Sequence, residues 1–200
     1  MANAWDARFA GAQYHYGTEP AAFVARSLWR IAPGARVLSV AEGEGRNAVC
    51  LAGQGARVTA VDGSAVALAK ARDLATARGV TIATELADLA QWRWPQAEYD
   101  AVLAVFIQFA PPALRAAIFA GMAQALRPGG LLLVHGFATR QPGYGTGGPG
   151  QLDQLYTLDL LHAAFPRWVV LHQADYDADL DEGEGHRGRA ALIDFVARKP

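Results

Sequence analysis

An α/β fold built on a doubly wound, mainly parallel sheet of seven strands is predicted by three observations. Short apolar runs alternate along the chain with stretches of helical period, the pattern of strands joined by covering helices. The run from Ala101 to Ile107 is apolar without alternation, as a strand covered on both faces requires. Turn residues such as Pro33-Gly34, Gly79 and Pro111-Pro112 fall between these segments and not within them.

In chain order, residues 20–31 read as an amphipathic helix, and Arg36 to Val40 as the first strand after the Pro33-Gly34 turn. Arg57 to Asp62 is the second strand. Ser64 suits the N-cap of a helix over residues 65–78, with Gly79 as its C′ residue. Gly79 to Ile82 opens the third strand, and Tyr99 to Phe106 is the fourth. Pro111-Pro112 can start a helix in which Leu114, Ile118, Met122 and Leu126 share one face, closed by Arg127-Pro128-Gly129-Gly130. Leu131 to Phe137 is the fifth strand, and residues 139–151 form a Gly/Pro-rich loop long enough to act as a lid. A helix near residues 157–165 precedes a strand from Trp168, an acidic stretch and a final strand over residues 190–197. The last two strands form a hairpin-like pair at the sheet edge, with the last strand antiparallel. This is a Rossmann-like order, expected as a single domain over residues 1–200, with residues 1–31 as an N-terminal cap and helix.

Two hundred residues can remove roughly 70% of the unfolded chain's surface from water, enough for one core. Hydrophobic residues make up 52% and charged residues 18%, which excludes a disordered chain. A net charge of −1 gives no general attraction to nucleic acid or to an anionic membrane. The one cysteine, Cys50, permits no internal disulfide. No apolar run is long enough to span a bilayer, and the first nine residues carry Asp6 and Arg8 with no secretory pattern, so the expected location is cytoplasmic.

The chemistry concentrates after the first strand, in Ala41-Glu42-Gly43-Glu44-Gly45-Arg46-Asn47-Ala48. Strand, tight glycine turn and helix together bring backbone close to a ligand without an intervening Cβ. Asp62 ends the next strand seventeen positions after Gly45, where a carboxylate can accept from a ribose diol. The pattern also satisfies the loose dinucleotide fingerprint, so a nicotinamide cofactor must be weighed. Glu42 and Glu44 flank the place of a pyrophosphate, and like charges ~4 Å apart cost about 1 kcal/mol in water and about 4 in a shielded site. S-adenosylmethionine has no phosphate and carries an ammonium and a sulfonium, so acids there favour it. Asp88-Leu89, after the third strand, suits an adenine edge and equally an ordinary helix N-cap.

These residues, with Leu126-Arg127-Pro128-Gly129-Gly130, resemble the class I S-adenosylmethionine-dependent methyltransferases over the chain from about Tyr14 to its end. Gly45-Arg46-Asn47-Ala48 and the late His186-Arg187 resemble most the small tellurite-resistance and thiopurine-type members. The resemblance implies a cofactor site of Glu42, Gly43, Gly45, Arg46, Asn47, Asp62, Gly63, Ser64, Asp88 and Leu89, with Val105 and Phe106 near the transferable methyl. It implies His186 and Arg187 facing the substrate as catalytic candidates, and Trp5, Tyr14 and Tyr16 covering the site. Ser39 stands where the family usually has an acid, and Ala41 where it commonly has glycine, so the part Glu42 plays is open.

Other constellations carry less. His186-Arg187 can equally pair with the preceding acids. Asp175, Asp177, Asp179 and Asp181 fail the calcium-loop pattern, because Leu180 stands where glycine belongs; a solvated edge is expected. The histidines lack metal-ligand spacing, so no metal is expected. Within the lid, Tyr144 is the candidate contact. The expected activity is methyl transfer to a small molecule, a thiol or chalcogen species by resemblance. The alternatives are a nicotinamide-dependent oxidoreductase and a cofactor binder without catalysis.

Overall fold

The structure, a computed structural model, describes residues 4–200. By their contacts the residues divide into two compact units: one runs up to Trp92 and includes Glu182–Gly185, the other comprises Arg93–Asp181 and His186–Pro200.

The first unit contains α1 (Ala4–Phe9), α2 (Ala22–Ser27), β1 (Arg36–Val40), α3 (Arg46–Gly53), β2 (Arg57–Asp62), α4 (Ala65–Ala77) and β3 (Ala83–Leu86). The expected helix over residues 20–31 is shorter, and a 3-10 turn over Leu28–Arg30 completes it. β1 pairs in parallel with β2, and β2 with β3. Val37, Leu38, Val58, Ala60 and Val61 are buried, so these strands carry the apolar interior of the unit. The third strand begins later than its sequence suggests, because Val80 belongs to the end of α4. Gly79 takes φ +67°, its amide donates to Thr76 O, and that of Val80 donates to Ala75 O. This is a Schellman ending, and it spends the first apolar residue of the presumed strand. At the other end of α4 the Ser64 hydroxyl accepts from the Ala67 amide, as its N-cap position predicts.

The second unit contains β4 (Tyr99–Val105), α5 (Pro112–Ala125), β5 (Leu126–Phe137), α6 (Leu158–Ala164), β6 (Val169–Asp181) and β7 (Arg187–Arg198). β5 starts five residues before the expected position. The register with β4 jumps from Tyr99↔Leu126 to Ala101↔Leu131, so Arg127 to Gly130 bulges out where helix α5 runs directly into strand. β7 is antiparallel to both β5 and β6. The acidic stretch proves to be strand: Asp175, Asp177, Asp179 and Asp181 alternate along β6, and the last two face Arg189 and Arg187 across the β6–β7 hairpin. Period-two spacing sends the carboxylates to one face and leaves Tyr176, Ala178 and Leu180 to pack with Phe137, Leu155, Ala190 and Leu192.

The sheet order is β3-β2-β1-β4-β5-β7-β6, seven strands in which β7 runs antiparallel to its neighbours β5 and β6. The Rossmann-like fold class is therefore as the sequence predicts, with the last strand antiparallel and the last two forming the edge hairpin. Among the described residues no helix is long and apolar enough to cross a membrane.

Candidate functional site

The glycine loop is shaped by three consecutive demands. Ala41, Gly43 and Gly45 all take left-handed backbone, at φ +48°, +67° and +93°. At Gly45 a Cβ would lie 2.6 Å from the Ala71 Cβ, so this glycine is required by the packing of the loop on α4. At Gly43 a Cβ would meet only the Phe9 ring at 3.6 Å, an ordinary contact. Gly43 is thus the position where the bare backbone faces space shared with the aromatic side of α1. Trp5 stacks on Phe9 at 6.2 Å, and Tyr16 meets the same ring edge-on at 6.3 Å. Two of the three expected N-terminal aromatics therefore gather with Phe9, a residue the sequence did not single out. Tyr14 lies to one side, its hydroxyl donating to Lys70 O.

Asp62 ties the loop to the end of β2. Its Oδ2 accepts from the Gly43 amide at 2.8 Å and its Oδ1 from the Ser64 amide at 2.8 Å. Burial pushes its carboxyl above the usual aspartate range, opposed by these backbone bonds. The Gly63 amide is a third donor to this carboxylate, so of its about four lone-pair sites roughly one is left for a ribose hydroxyl. Ser64 also donates to Asp6 of α1 at 2.6 Å.

The two glutamates are used differently from the sequence argument. Glu42 Oε1 accepts from the Asn47 and Ala48 amides at 3.0 and 2.8 Å, and its Oε2 takes the Ser39 hydroxyl. It caps α3 from inside, and burial raises its carboxyl above the ordinary range. Glu44 pairs with Lys70 at 2.5 Å and accepts from the His15 amide at 2.7 Å. Its charge is cancelled within the protein, so repulsion by Glu44 is not what disfavours a pyrophosphate. The better reason is that first-turn amides of α3, the donors a pyrophosphate would use, are already given to Glu42. Ser39, where an acid is usual in the resembled family, donates its hydroxyl to Glu42.

Arg46 and Asn47 likewise spend their side chains on the protein. Arg46 donates to Tyr16 O at 3.1 Å and pairs with Glu182 at 2.8 Å, while Asn47 Oδ1 accepts from the Ala21 amide at 2.9 Å. Asp88 is exposed and starts no helix; its carboxylate accepts from the Ala90 amide in a turn, beside the buried Leu89.

In the second unit, Val105 ends β4 in register with His135, and Phe106 follows with φ +56°. A bulky residue in left-handed backbone costs about 1–3 kcal/mol and marks a constrained position. Its ring packs at 4.7 Å on His135, 4.7 Å on Phe137 and 4.2 Å on His186. His186 is buried there, whereas Arg187 is exposed and pairs with Asp181 at 3.2 Å. The neighbouring pair is thus split, and Arg187 follows the local-pairing alternative. His135 is held by Asp194, Nδ1 to Oδ1 at 2.7 Å, both about 2% exposed. Neither was found from sequence, although a histidine and an aspartate inside the apolar runs of β5 and β7 were a readable signal.

The expected lid is fastened in this conformation. Gln141 is fully buried, accepts from the Ala191 amide and donates to Gly147 O, and the Tyr144 hydroxyl donates to Asp177 at 2.6 Å. Arg140 pairs with Asp177 at 2.6 Å and with Asp175. Among the described residues no group of His, Cys, Asp and Glu is arranged to hold a metal ion.

Residues 37–130 match a family described as methyltransferase domain. No curated protein matches the chain. Among solved structures, TehB from Haemophilus influenzae is 23% identical with a TM-score of 0.71, over 88% of this chain and 61% of that one. The chain thus spans about three fifths of the length of that relative. A protein solved in work on the conversion of a disulfide bond into a thioacetal group during echinomycin biosynthesis is 22% identical, with a TM-score of 0.76 over 100% of this chain and 91% of that one. A TehB-like S-adenosylmethionine-dependent methyltransferase from Corynebacterium glutamicum is 17% identical, with a TM-score of 0.65 over 89% of this chain and 88% of that one.

Proposed function

We propose that this chain, which carries a class I S-adenosylmethionine-dependent methyltransferase domain, transfers the sulfonium methyl group to a small thiol or chalcogen acceptor. The observation that carries the reading is the joint of Gly43 and Asp62. A side-chain-free, left-handed residue lies beside a buried carboxylate at the end of β2, the place from which a ribose hydroxyl would be held. The residues present fit this cofactor: none of Gly43, Asp62, Gly63 or Ser64 is a phosphate-binding cation, and the first-turn amides of α3 are occupied by Glu42.

When bound, the cofactor supplies an activated methyl group and a neutral leaving group. The work left to the protein is orientation and exclusion of water. Gly43 and Asp62 would hold the adenosyl part, with Gly63, Ser64 and Leu89 beside it. Trp5, Phe9 and Tyr16 would shield it on the side of α1. Phe106 and His186 would form the wall met by the acceptor, since ligands of parallel sheets bind at the carboxyl ends of strands. The thiol and chalcogen class rests on likeness to TehB and on the late His186. Arg187, paired at the surface, has no part in this proposal.

Calorimetry with S-adenosylmethionine, its demethylated product and NAD tests the cofactor. Binding of the first two and not of NAD is expected; the reverse sinks the reading. Methyl transfer to small thiols and to tellurium and selenium oxyanions then separates an enzyme from a passive binder.

A further inference from the structure

Lys70, on α4, is one of two lysines in a chain with eighteen basic residues. Its ammonium donates to three backbone carbonyls, Phe9 O at 3.3 Å, Gly11 O at 2.8 Å and Gln13 O at 2.7 Å. The same Nζ pairs with the buried Glu44 at 2.5 Å and lies 5.1 Å from the centre of the Tyr14 ring. Three donors on one compact nitrogen suit carbonyls that converge on it. A planar guanidinium cannot point at all of them at once, so lysine is required here in a chain that otherwise uses arginine.

The carbonyls belong to a segment with little else to keep it in place. Residues 10–13 are exposed, so apolar burial contributes little to holding them. The chain beyond them is fixed. Glu44 accepts from the His15 amide at 2.7 Å, Arg46 donates to Tyr16 O at 3.1 Å, and the Gly185 amide donates to His15 O at 3.2 Å. Gly183 packs so closely on the same residues that a Cβ there would lie 2.6 Å from His15 O and from the Gly17 nitrogen. The chain before them ends α1 with Phe9, which is buried, and whose ring is the neighbour that a Cβ at Gly43 would meet at 3.6 Å.

We infer that Lys70 is a positioning residue of the cofactor site: by holding residues 9–13 down it keeps the Phe9 ring beside Gly43 and sets how fast S-adenosylmethionine enters and leaves. The inference rests on the proposed place of the cofactor at Gly43 and Asp62. The Phe9 ring lies against the bare face of Gly43 that the cofactor is proposed to approach, so this conformation is closed. Entry requires residues 9–13 to lift away from α4, with residues 15–17 as the fixed end, and the same motion releases a bound cofactor. The bonds of Lys70 go to carbonyls and to Glu44, none of them a proposed cofactor contact, so they are the same in the free and the occupied protein. Weakening them speeds passage in both directions and leaves the ratio of the two rates nearly unchanged. A residue that only stabilised the occupied site would act on dissociation alone.

Lys70→Arg tests this, because it keeps a cation opposite the buried Glu44 while presenting a planar group to the carbonyls. Stopped-flow mixing with S-adenosylmethionine, followed by intrinsic fluorescence, gives both rate constants. Each is expected to rise about tenfold, the effect of losing one or two hydrogen bonds, with Kd changed by less than about threefold. Amide exchange at residues 10–13 should quicken at the same time. Phe9→Ala removes the ring and leaves the bonds of Lys70 intact. It is expected to raise association to a similar degree with exchange at residues 10–13 as in the parent, and it decides the matter if Lys70→Arg does not fold. Association unchanged or slowed in a folded variant, or dissociation raised alone, overturns the inference. Failure of the underlying reading looks different. Calorimetry then shows no S-adenosylmethionine binding, or Gly43→Ala leaves affinity unchanged, while exchange at residues 10–13 still responds to Lys70→Arg.

Discussion

At Gly43 and Gly45 the same residue type answers two different demands, and substitution separates them. Alanine at 45 meets both left-handed strain and an approach of 2.6 Å to Ala71, where neither backbone can yield. Gly45→Ala is expected to cost roughly 3 kcal/mol in urea unfolding. Alanine at 43 carries only the backbone strain, about 1–2 kcal/mol, but places a methyl group where the cofactor is proposed to approach. Gly43→Ala is therefore expected to weaken S-adenosylmethionine binding in calorimetry far more than it weakens the fold, and a purely structural Gly43 would leave affinity unchanged. Glu42 makes a prediction in pH. Burial raises its carboxyl in the folded state above the ordinary 4.5. The folded state therefore holds the proton more tightly than the unfolded chain. The stability this contributes is fully present below the ordinary value and is lost as pH rises through the raised one. Unfolding free energy measured upward from about pH 4.5 should decline through that window in the parent and decline less in Glu42→Gln, where no proton is exchanged. Identical pH slopes would show that Glu42 is ionised in both states.

Among the elements, the segment between α1 and α2 shows how a short piece of chain without regular structure is held. Lys70, on α4, donates from Nζ to the carbonyls of Gly11 and Gln13 at 2.8 and 2.7 Å while pairing with Glu44. Glu44 in turn takes the amide of His15. Lys70→Met removes one partner and leaves Glu44 buried with an uncompensated charge, for which a loss of about 3 kcal/mol is expected. Hydrogen exchange should quicken in residues 9–17 first; a uniform rise across the unit would mean that this segment is not separately fastened. None of this was legible in the sequence, because one lysine among many arginines reads as composition until its three-dimensional partners are known. Strands and helix caps were legible, since periodicity and the Ser64 and Gly79 signals are local. The start of β3 was not, because Val80 satisfied both a strand pattern and the helix ending that claimed it. Asp62 was legible as the acid that closes β2 beside the glycine loop, because the end of a strand is a local signal. Glu42 was legible as part of the loop but its partners were not: its bonds to amides five and six residues ahead depend on how the loop folds back.

For the whole molecule, the proposed cofactor contacts are unevenly spread, and binding should report that. Gly43, Asp62, Ser64 and Leu89 all belong to the first unit, whereas β6, with its row of aspartates, belongs to the second. A ligand that binds only the folded state stabilises it by about 2.7 kcal/mol at a hundred times its dissociation constant. Saturating S-adenosylmethionine should raise the unfolding free energy by that order, and NAD at the same concentration should leave it unchanged. The distribution of the effect is the sharper measurement. Local openings are suppressed where a ligand is contacted, while global unfolding is suppressed everywhere. Exchange under native conditions is therefore expected to slow most at residues 41–47 and 62–64, and least along Val169–Asp181. Protection centred on β6 and the 139–151 loop, with the glycine loop unchanged, would place the cofactor elsewhere and remove the assignment of Gly43 and Asp62. The same data weigh Asp88. It is exposed and already occupied by the Ala90 amide, so contact with the adenine would slow exchange at residues 88–90, and a merely structural turn would leave them as they are.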